Sequence, residues 1–402
     1  MVQNTKVDFY NPDTFEHGPP FDVFKELREN EPVYWNPQKE DEGTGFWVIT
    51  RYDDVVETSL DHESYLSGHG VFIDDSVGGS ELMLVNMDAP KHSGLRNLVS
   101  TGFTPKMIRR MEPHVRDIAA AIVDNIAKNG ECDFVTDVAV ELPLQVIAEL
   151  IGIPQEDRHQ IFQWSNQMIA VGDPEYSPDM DTATKAAAEI FAYCNELTAE
   201  KRENPKDDLL TVLLNADVDG EKLEDMELNM FFLLLAVAGN ETTRNLIGGG
   251  MLAFFENPDQ WERLKDDSSL MPTAVEEMLR WVSPIMYFRR TASKATEIHG
   301  QKIKEGDKVT LWYGSANRDP EAFEDPSKFD IGREPNAHVA LGAGGPHFCL
   351  GASLARLEIR LMFEEVVKRL PDIRLAGDIS LLRSYFINGV KHIPVEFTPE
   401  QG

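Results

Sequence analysis

Apolar residues recur at helical spacing over most of the chain. Between positions 107 and 128, Ile108, Met111, Val115, Ile118, Ala119, Ile122 and Ile126 fall on one stripe, the signature of an amphipathic helix. Positions 141–151, 157–170 and 181–202 repeat the pattern, and the Gly- and Pro-bearing segment 172–178 parts the last two. The run 224–255 keeps helical spacing but is apolar nearly all round at its middle, which predicts a helix through the centre of a large domain. Glu256-Asn-Pro258 stops it, and Pro272 suits the first turn of a helix reaching Trp281. A last helix is predicted over 352–369. Strand signals are fewer: 45–50, 308–313 and 393–397 alternate or are β-branched, while 316–341 is a meander without period. The expectation is a mainly α fold with small β-sheets, one domain over 1–402, and a long central helix.

Composition supports a folded protein: 402 residues, 42% of them apolar, with 21 Phe, 9 Tyr and 6 Trp to fill a core. The net charge, 38 − 69 = −31, repels phosphate backbones and excludes a general nucleic-acid binder. Three widely separated cysteines, Cys132, Cys194 and Cys349, do not make a disulfide framework and favour a reducing cytoplasm. The first residues lack a signal pattern, and the most apolar run, 230–239, is too short to span a bilayer. A cytoplasmic protein without a membrane span is expected.

Chemistry concentrates in four places. Cys349 lies in Leu341-Gly-Ala-Gly-Gly-Pro-His-Phe-Cys-Leu-Gly351, just before a predicted helix. The glycines permit backbone shapes closed to other residues and a close approach to a flat ligand. Loop N–H groups and a helix N-terminus would lower the thiol pKa, which suits either a nucleophile or a metal ligand. Within the apolar central helix, Ala238-Gly-Asn-Glu-Thr-Thr243 sets an acid and a hydroxyl, Glu241 and Thr242, where packing residues belong. Two structures suit that insertion: a helix boundary capped by Thr242 or Thr243, or a distorted turn whose acid and hydroxyl deliver protons to a buried site. Glu277 and Arg280 stand three apart on one helix face, and His92 and Arg96 four apart on another, the latter suited to an anionic ligand.

In this order and spacing the four motifs resemble those of the cytochrome P-450 haem-thiolate monooxygenases, and the resemblance covers essentially the whole chain. It implies the fold of that family, with the central helix on the distal side of one haem b and the helix after the Cys loop on the proximal side. It implies Cys349 as axial thiolate ligand of the iron, favouring O–O cleavage, and Glu241 and Thr242 as the acid–alcohol pair. His92, Arg96, Arg290 and His347 match positions that bind haem propionates, with Arg289 the less suited of the adjacent arginines. Glu277 and Arg280, closed into a buried triad by Arg333, match a structural group that pins the meander and the Cys loop. One departure stands out: the position seven before the ligand, usually aromatic, is Gly342, with Leu341 one place further back, so the loop is one residue longer and the shielding of the sulfur differs.

Segments such as Glu141-Leu-Pro-Leu-Gln145, Asp173-Pro-Glu-Tyr176 and Asn388-Gly-Val-Lys-His392 look like those of bacterial enzymes that hydroxylate sterol side chains. The implied activity is insertion of one oxygen atom from O2 into an unactivated C–H bond of a bulky apolar molecule: a sterol, terpenoid or branched lipid. Electrons would come from a ferredoxin and its reductase. A peroxide-driven peroxygenase and a non-catalytic haem sensor or carrier are the rivals; the acid–hydroxyl pair argues against both. A pocket lined by Val71, Phe72, Val237, Ala238, Ile285, Met286 and Phe386 is expected from their places beside the motifs. Lys106, Arg109, Arg110, Arg356 and Arg360 are expected to make the face near the Cys loop locally basic, suited to an acidic ferredoxin.

Overall fold

The long apolar run forms the helix Asp225–Glu256 in a computed structural model that describes residues 7–39, 44–75, 79–218 and 221–401. Glu224 and Glu227 make a reciprocal capping box at its start, and the Asn257 N–H closes its end on the carbonyls of Ala253 and Phe254. Most of its length is buried, as an all-round apolar helix must be. Pro105–Ile126, Glu141–Ile151, Arg158–Ile169, Met180–Glu203, Met271–Val282 and Ala352–Arg369 form the remaining predicted helices, each within two residues of its expected bounds. With the central helix they share one apolar core.

The central helix runs unbroken through 238–243. Neither the helix boundary nor the distorted turn expected there is present, and the reason is local. Gly239 serves close packing, since a Cβ there would lie 2.6 Å from Ile147 Cδ1 of the helix Glu141–Ile151. The Thr242 hydroxyl donates back to the Ala238 carbonyl at 2.8 Å, so it needs no cap position. Further along, Gly249 and Gly250 admit Val282 and Met278 of the helix Met271–Val282 in the same way.

A five-stranded sheet lies beside this helical body, in the spatial order Val33–Lys39, Thr44–Ile49, Lys308–Trp312, Tyr287–Ala292, Tyr65–Leu66. All its pairs are antiparallel except that of Thr44–Ile49 with Lys308–Trp312. Successive residues of Tyr287–Ala292 face opposite ways, which sends the adjacent Arg289 and Arg290 to different surroundings. The predicted strand near the C-terminus is Pro394–Glu396, between Arg374–Leu375 and Glu131–Asp133. Among the described residues no helix is long and apolar enough to cross a membrane.

The close approach at Gly249 makes a stability test. Gly249→Val should lower stability by about 1–3 kcal/mol, the usual cost of forcing carbon into a packed interface. A Cβ there meets both Val282 methyls at 2.9 and 3.0 Å. Adding Val282→Ala should recover part of the loss; thermal unfolding of the two variants reads both effects, and an unchanged midpoint for Gly249→Val would show that the helices do not touch there.

Candidate functional site

Cys349 is held by its own loop. Gly342, Gly344 and Gly345 adopt φ of +95°, +90° and +74°, so the loop turns where side chains would strain it. Gly345 also approaches the helix Tyr52–Leu60 too closely for a Cβ, which would sit 2.9 Å from the Ser59 carbonyl oxygen. The Cys349 N–H donates to the Leu341 carbonyl at 2.9 Å, and the Arg96 guanidinium donates to the Phe348 carbonyl. Burial pushes the Cys349 thiol up; the Gly351 N–H and the charges of Arg96 and Arg356 pull the other way without prevailing. The expected net lowering therefore does not occur, because desolvation outweighs the donors. A thiol in this setting is a poor free nucleophile, whereas a bound metal cation deprotonates a coordinating thiol outright.

Around it stand the four residues singled out as anion binders. His92 and Arg96 come from the helix Lys91–Ser100, Arg290 from the strand Tyr287–Ala292, and His347 from the Cys loop. The rings of His92 and His347 lie 4.2 Å apart. Burial lowers the His347 pKa to about 2, reinforced by Arg290, His92 and Arg96, and His92 is lowered by burial and the same two arginines. Both imidazoles are therefore neutral at pH 7, which leaves two permanent cations, Arg96 and Arg290. His92 Nε2 is buried without a hydrogen-bond partner, and the buried Arg290 donates Nη1 to the Arg289 carbonyl. An unpaired imidazole nitrogen, one buried and one half-buried guanidinium group, Arg290 and Arg96, and a caged thiol fit a haem, with its two carboxylates and one metal. Arg289 points elsewhere, to the Phe72 carbonyl at 3.2 Å and Asp75 at 3.3 Å.

Glu241 is buried and paired with Arg244, one turn on, which also donates to Asn166 Oδ1 at 2.8 Å. Burial raises the Glu241 carboxyl pKa and Arg244 restrains the rise. Thr242, on a neighbouring face, keeps solvent-accessible surface, as does Ala238 one turn before it. Sequence reasoning missed Glu358. It sits fully buried on the helix Ala352–Arg369, hydrogen-bonded with the Thr243 hydroxyl, and burial lifts its pKa to about 8. That bond ties the turn containing Thr242 to the helix that follows Cys349. The only sequence signal was an acid on the apolar face of an amphipathic helix.

Glu277, Arg280 and Arg333 meet as expected. Arg280 grips Glu277 through Nε and Nη2 at 2.8 Å each and the carbonyls of Asn317, Pro326 and Lys328 at 2.8–3.0 Å, and Arg333 Nε reaches Glu277 at 3.1 Å. The preceding Glu276, also missed, accepts from Arg356 at 2.6 and 2.9 Å and from His338 at 3.0 Å. Those bonds hold its carboxyl near 2 although burial works against them.

The expected basic face is an open groove of about 300 Å³ in which Arg109, Arg356 and Arg360 meet Glu112 and Glu276. Arg360 pairs with Glu112 and Glu364 at 2.7 and 2.9 Å, so two of these three arginines are already engaged. Lys106, Arg109 and Arg110 stand exposed outside these pairs, so the face keeps an excess of positive charge, though a smaller one than expected, because pairs formed across helices are invisible to a count along the chain.

Of the expected pocket residues, Val71 and Met286 are packed out of contact with solvent. Phe72, Val237, Ala238, Ile285 and Phe386 retain accessible surface, and the Phe72 and Phe386 rings meet edge-on at 4.8 Å.

A family model described as Cytochrome P450 matches residues 13–371. A steroid C26-monooxygenase of Rhodococcus jostii (strain RHA1) is 45% identical over 98% of this chain and 85% of its own length. A methyl-branched lipid omega-hydroxylase of Mycobacterium tuberculosis (strain ATCC 25618 / H37Rv) is 43% identical, over 94% and 90%. Among solved structures, a Mycobacterium marinum cytochrome P450 in complex with pseudoionone superposes with a TM-score of 0.92 at 38% identity, covering 99% of both chains.

Glu358 supplies a pH test. Its folded pKa, about 8, lies above the unfolded value near 4.3, so folding takes up a proton between those limits. Stability attributable to this group is present below pH ~4, falls as pH rises towards 8 by on the order of 1 kcal/mol per unit, and levels off above. Glu358→Gln should flatten that part of the stability–pH curve in denaturant titrations. Parallel curves for the two proteins would show that Glu358 is not buried as described.

Proposed function

The chain belongs to the cytochrome P450 family of monooxygenases, and we propose that it hydroxylates the far end of a branched aliphatic chain on a sterol or methyl-branched lipid. The observation that carries the haem site is the caged, half-buried Cys349 flanked by the buried Arg290, the half-buried Arg96 and the unpaired His92 Nε2. Cys349 would hold the iron, while His92, Arg96, Arg290 and His347 would hold the propionates. The chemistry a haem supplies in such a site is reductive activation of O2 and insertion of one oxygen atom into a C–H bond.

The chain's own residues set the conditions for that chemistry. Thr242 presents a hydroxyl on the accessible side of the central helix, beside the methyl of Ala238, where it can hold and pass a proton. Glu241 backs it with a carboxyl that burial biases towards the protonated form, positioned by Arg244, which Asn166 holds in turn. Phe72, Val237, Ala238, Ile285 and Phe386 offer a substrate apolar surface that excludes water and selects by shape. Support for the substrate class comes from the relatives, whose names specify C26 of a steroid and the omega position of a methyl-branched lipid. Both terms denote the end of a chain, so the two substrates would present the same branched terminus. A ferredoxin and its reductase would deliver the electrons, one at a time.

The test is product analysis with NADH, a ferredoxin, its reductase and two substrates: a sterol with an intact side chain and a methyl-branched fatty acid. Terminal alcohols from either support the proposal; oxidation confined to the sterol ring system, or turnover with peroxide alone, overturns it. Thr242→Ala should bind substrate normally yet form several-fold less product per NADH consumed, with the balance appearing as peroxide. Ala238→Phe should weaken binding of both substrates at least tenfold, read from optical titration. Unchanged binding would place the pocket elsewhere.

A further inference from the structure

Glu276 joins the two ends of the Cys349 loop. On the entry side its partner is His338, three residues before Leu341, whose carbonyl accepts the Cys349 N–H. His338 Nδ1 accepts from the Ala340 N–H at 3.3 Å, which leaves Nε2 as the nitrogen that carries the hydrogen and donates to Glu276. On the exit side the partner is Arg356, in the second turn of the helix Ala352–Arg369, which engages both carboxylate oxygens through Nε and Nη2. The His338 side chain is buried, whereas Glu276 and Arg356 are about one-third exposed. As a contribution to stability, a pair that exposed counts for little. Its placement has another consequence. Arg356 stands seven residues after Cys349, in the second turn of the helix that follows it, so its charge lies beside the loop that carries the sulfur. Among the described residues, Glu276 is the carboxylate paired with Arg356.

We propose that Glu276 is a positioning residue that clasps both ends of the Cys349 loop and, by offsetting the charge of Arg356, sets the reduction potential of a haem bound at Cys349. The inference rests on the reading of Cys349 as the haem ligand. Reduction of the iron adds one negative charge to the site. An uncompensated cation nearby favours the reduced form, and an uncompensated anion favours the oxidised form. Glu277, the next residue, makes no such adjustment, because its partners are Arg280 on its own helix and Arg333 in the meander, and neither belongs to the Cys loop.

The test is spectroelectrochemical titration of the holoenzyme and three variants. Glu276→Gln should shift the reduction equilibrium about threefold towards the reduced form, about 28 mV at ~59 mV per tenfold for a one-electron couple. Arg356→Gln should shift it by a similar factor the other way, and the double variant should return close to the starting value. Shifts of the same sign in the two single variants would mean that only loop distortion is at work, and would overturn the charge role, as would no shift in either. Should Glu276→Gln fail to retain haem, Arg356→Lys decides: it keeps the charge but loses the two-point grip, so its potential should stay at the starting value while that of Arg356→Gln falls. Equal potentials for those two overturn the proposal. The carbonyl spectrum of the unaltered protein separates the layers. Without a thiolate-type band both the ligand reading and this inference fall; with it, failed signs sink this inference alone.

Discussion

Glu277 lies out of reach of water, and its two oxygens accept from Arg280, Arg333, Asn336 and the Asp330 N–H. A buried carboxylate is tolerated only when its hydrogen-bonding capacity is filled, and here it is filled by groups far apart in sequence. Arg280 passes the constraint on, because its remaining N–H groups take the carbonyls of Asn317, Pro326 and Lys328. A segment with no periodic structure of its own is thereby fixed to a helix. Removing either charge would strand the other, a loss of about 3–5 kcal/mol in buried pairs generally. The Cys loop starts where this fixed segment ends, so its position is inherited from Glu277.

The rest of the site is built against that anchor by close packing. The helix Met271–Val282, which carries Glu276 and Glu277, meets the central helix at Gly249 and Gly250, where the missing side chains let Val282 and Met278 enter. The same central helix meets the helix after Cys349 through Thr243 and Glu358. Three helices are thus locked in register around one cysteine, and the small residues matter as much as the charged ones. A shift of about 1 Å at any of these contacts would move Thr242 relative to Cys349 by a similar amount, enough to matter for a proton transfer that depends on hydrogen-bond distance.

Much of this was legible beforehand because helices are local. The 3.6-residue spacing located every helix it named to within two residues, including both ends of Ala352–Arg369, and the motif residues Glu277, Arg280 and Arg333 meet as the resemblance implied. What failed or stayed hidden was non-local. The parallel pairing of Thr44–Ile49 with Lys308–Trp312 spans some 260 residues and leaves no trace in either strand. The clasp of Glu276 on Arg356 converted an expected free cation into a paired one. At 238–243 the error was of another kind. Polar residues in an apolar helix suggested a break, but Arg244, one turn on in the same helix, pairs with one Glu241 oxygen and is itself held by Asn166, so the acid is partnered without the helix opening. The lowered thiol expected for Cys349 failed because sequence shows donors and not the depth at which they act.

These local charges have to work inside a molecule with a net charge of −31. At physiological ionic strength fields are screened within about 8 Å, so the overall charge is felt by an approaching protein mainly at low salt, and there it repels an acidic one. The exposed cations near the Cys loop, Lys106, Arg109 and Arg110, are too few to reverse that repulsion at long range. An acidic electron donor of the kind proposed would therefore be recognised at short range, by direct contact with Arg109 and the edges of the paired arginines, more than by steering. Such contact would compete with Glu276 for Arg356, and Arg356 is also a charge felt at Cys349. The surface that receives the donor and the group that tunes the acceptor would then share one side chain.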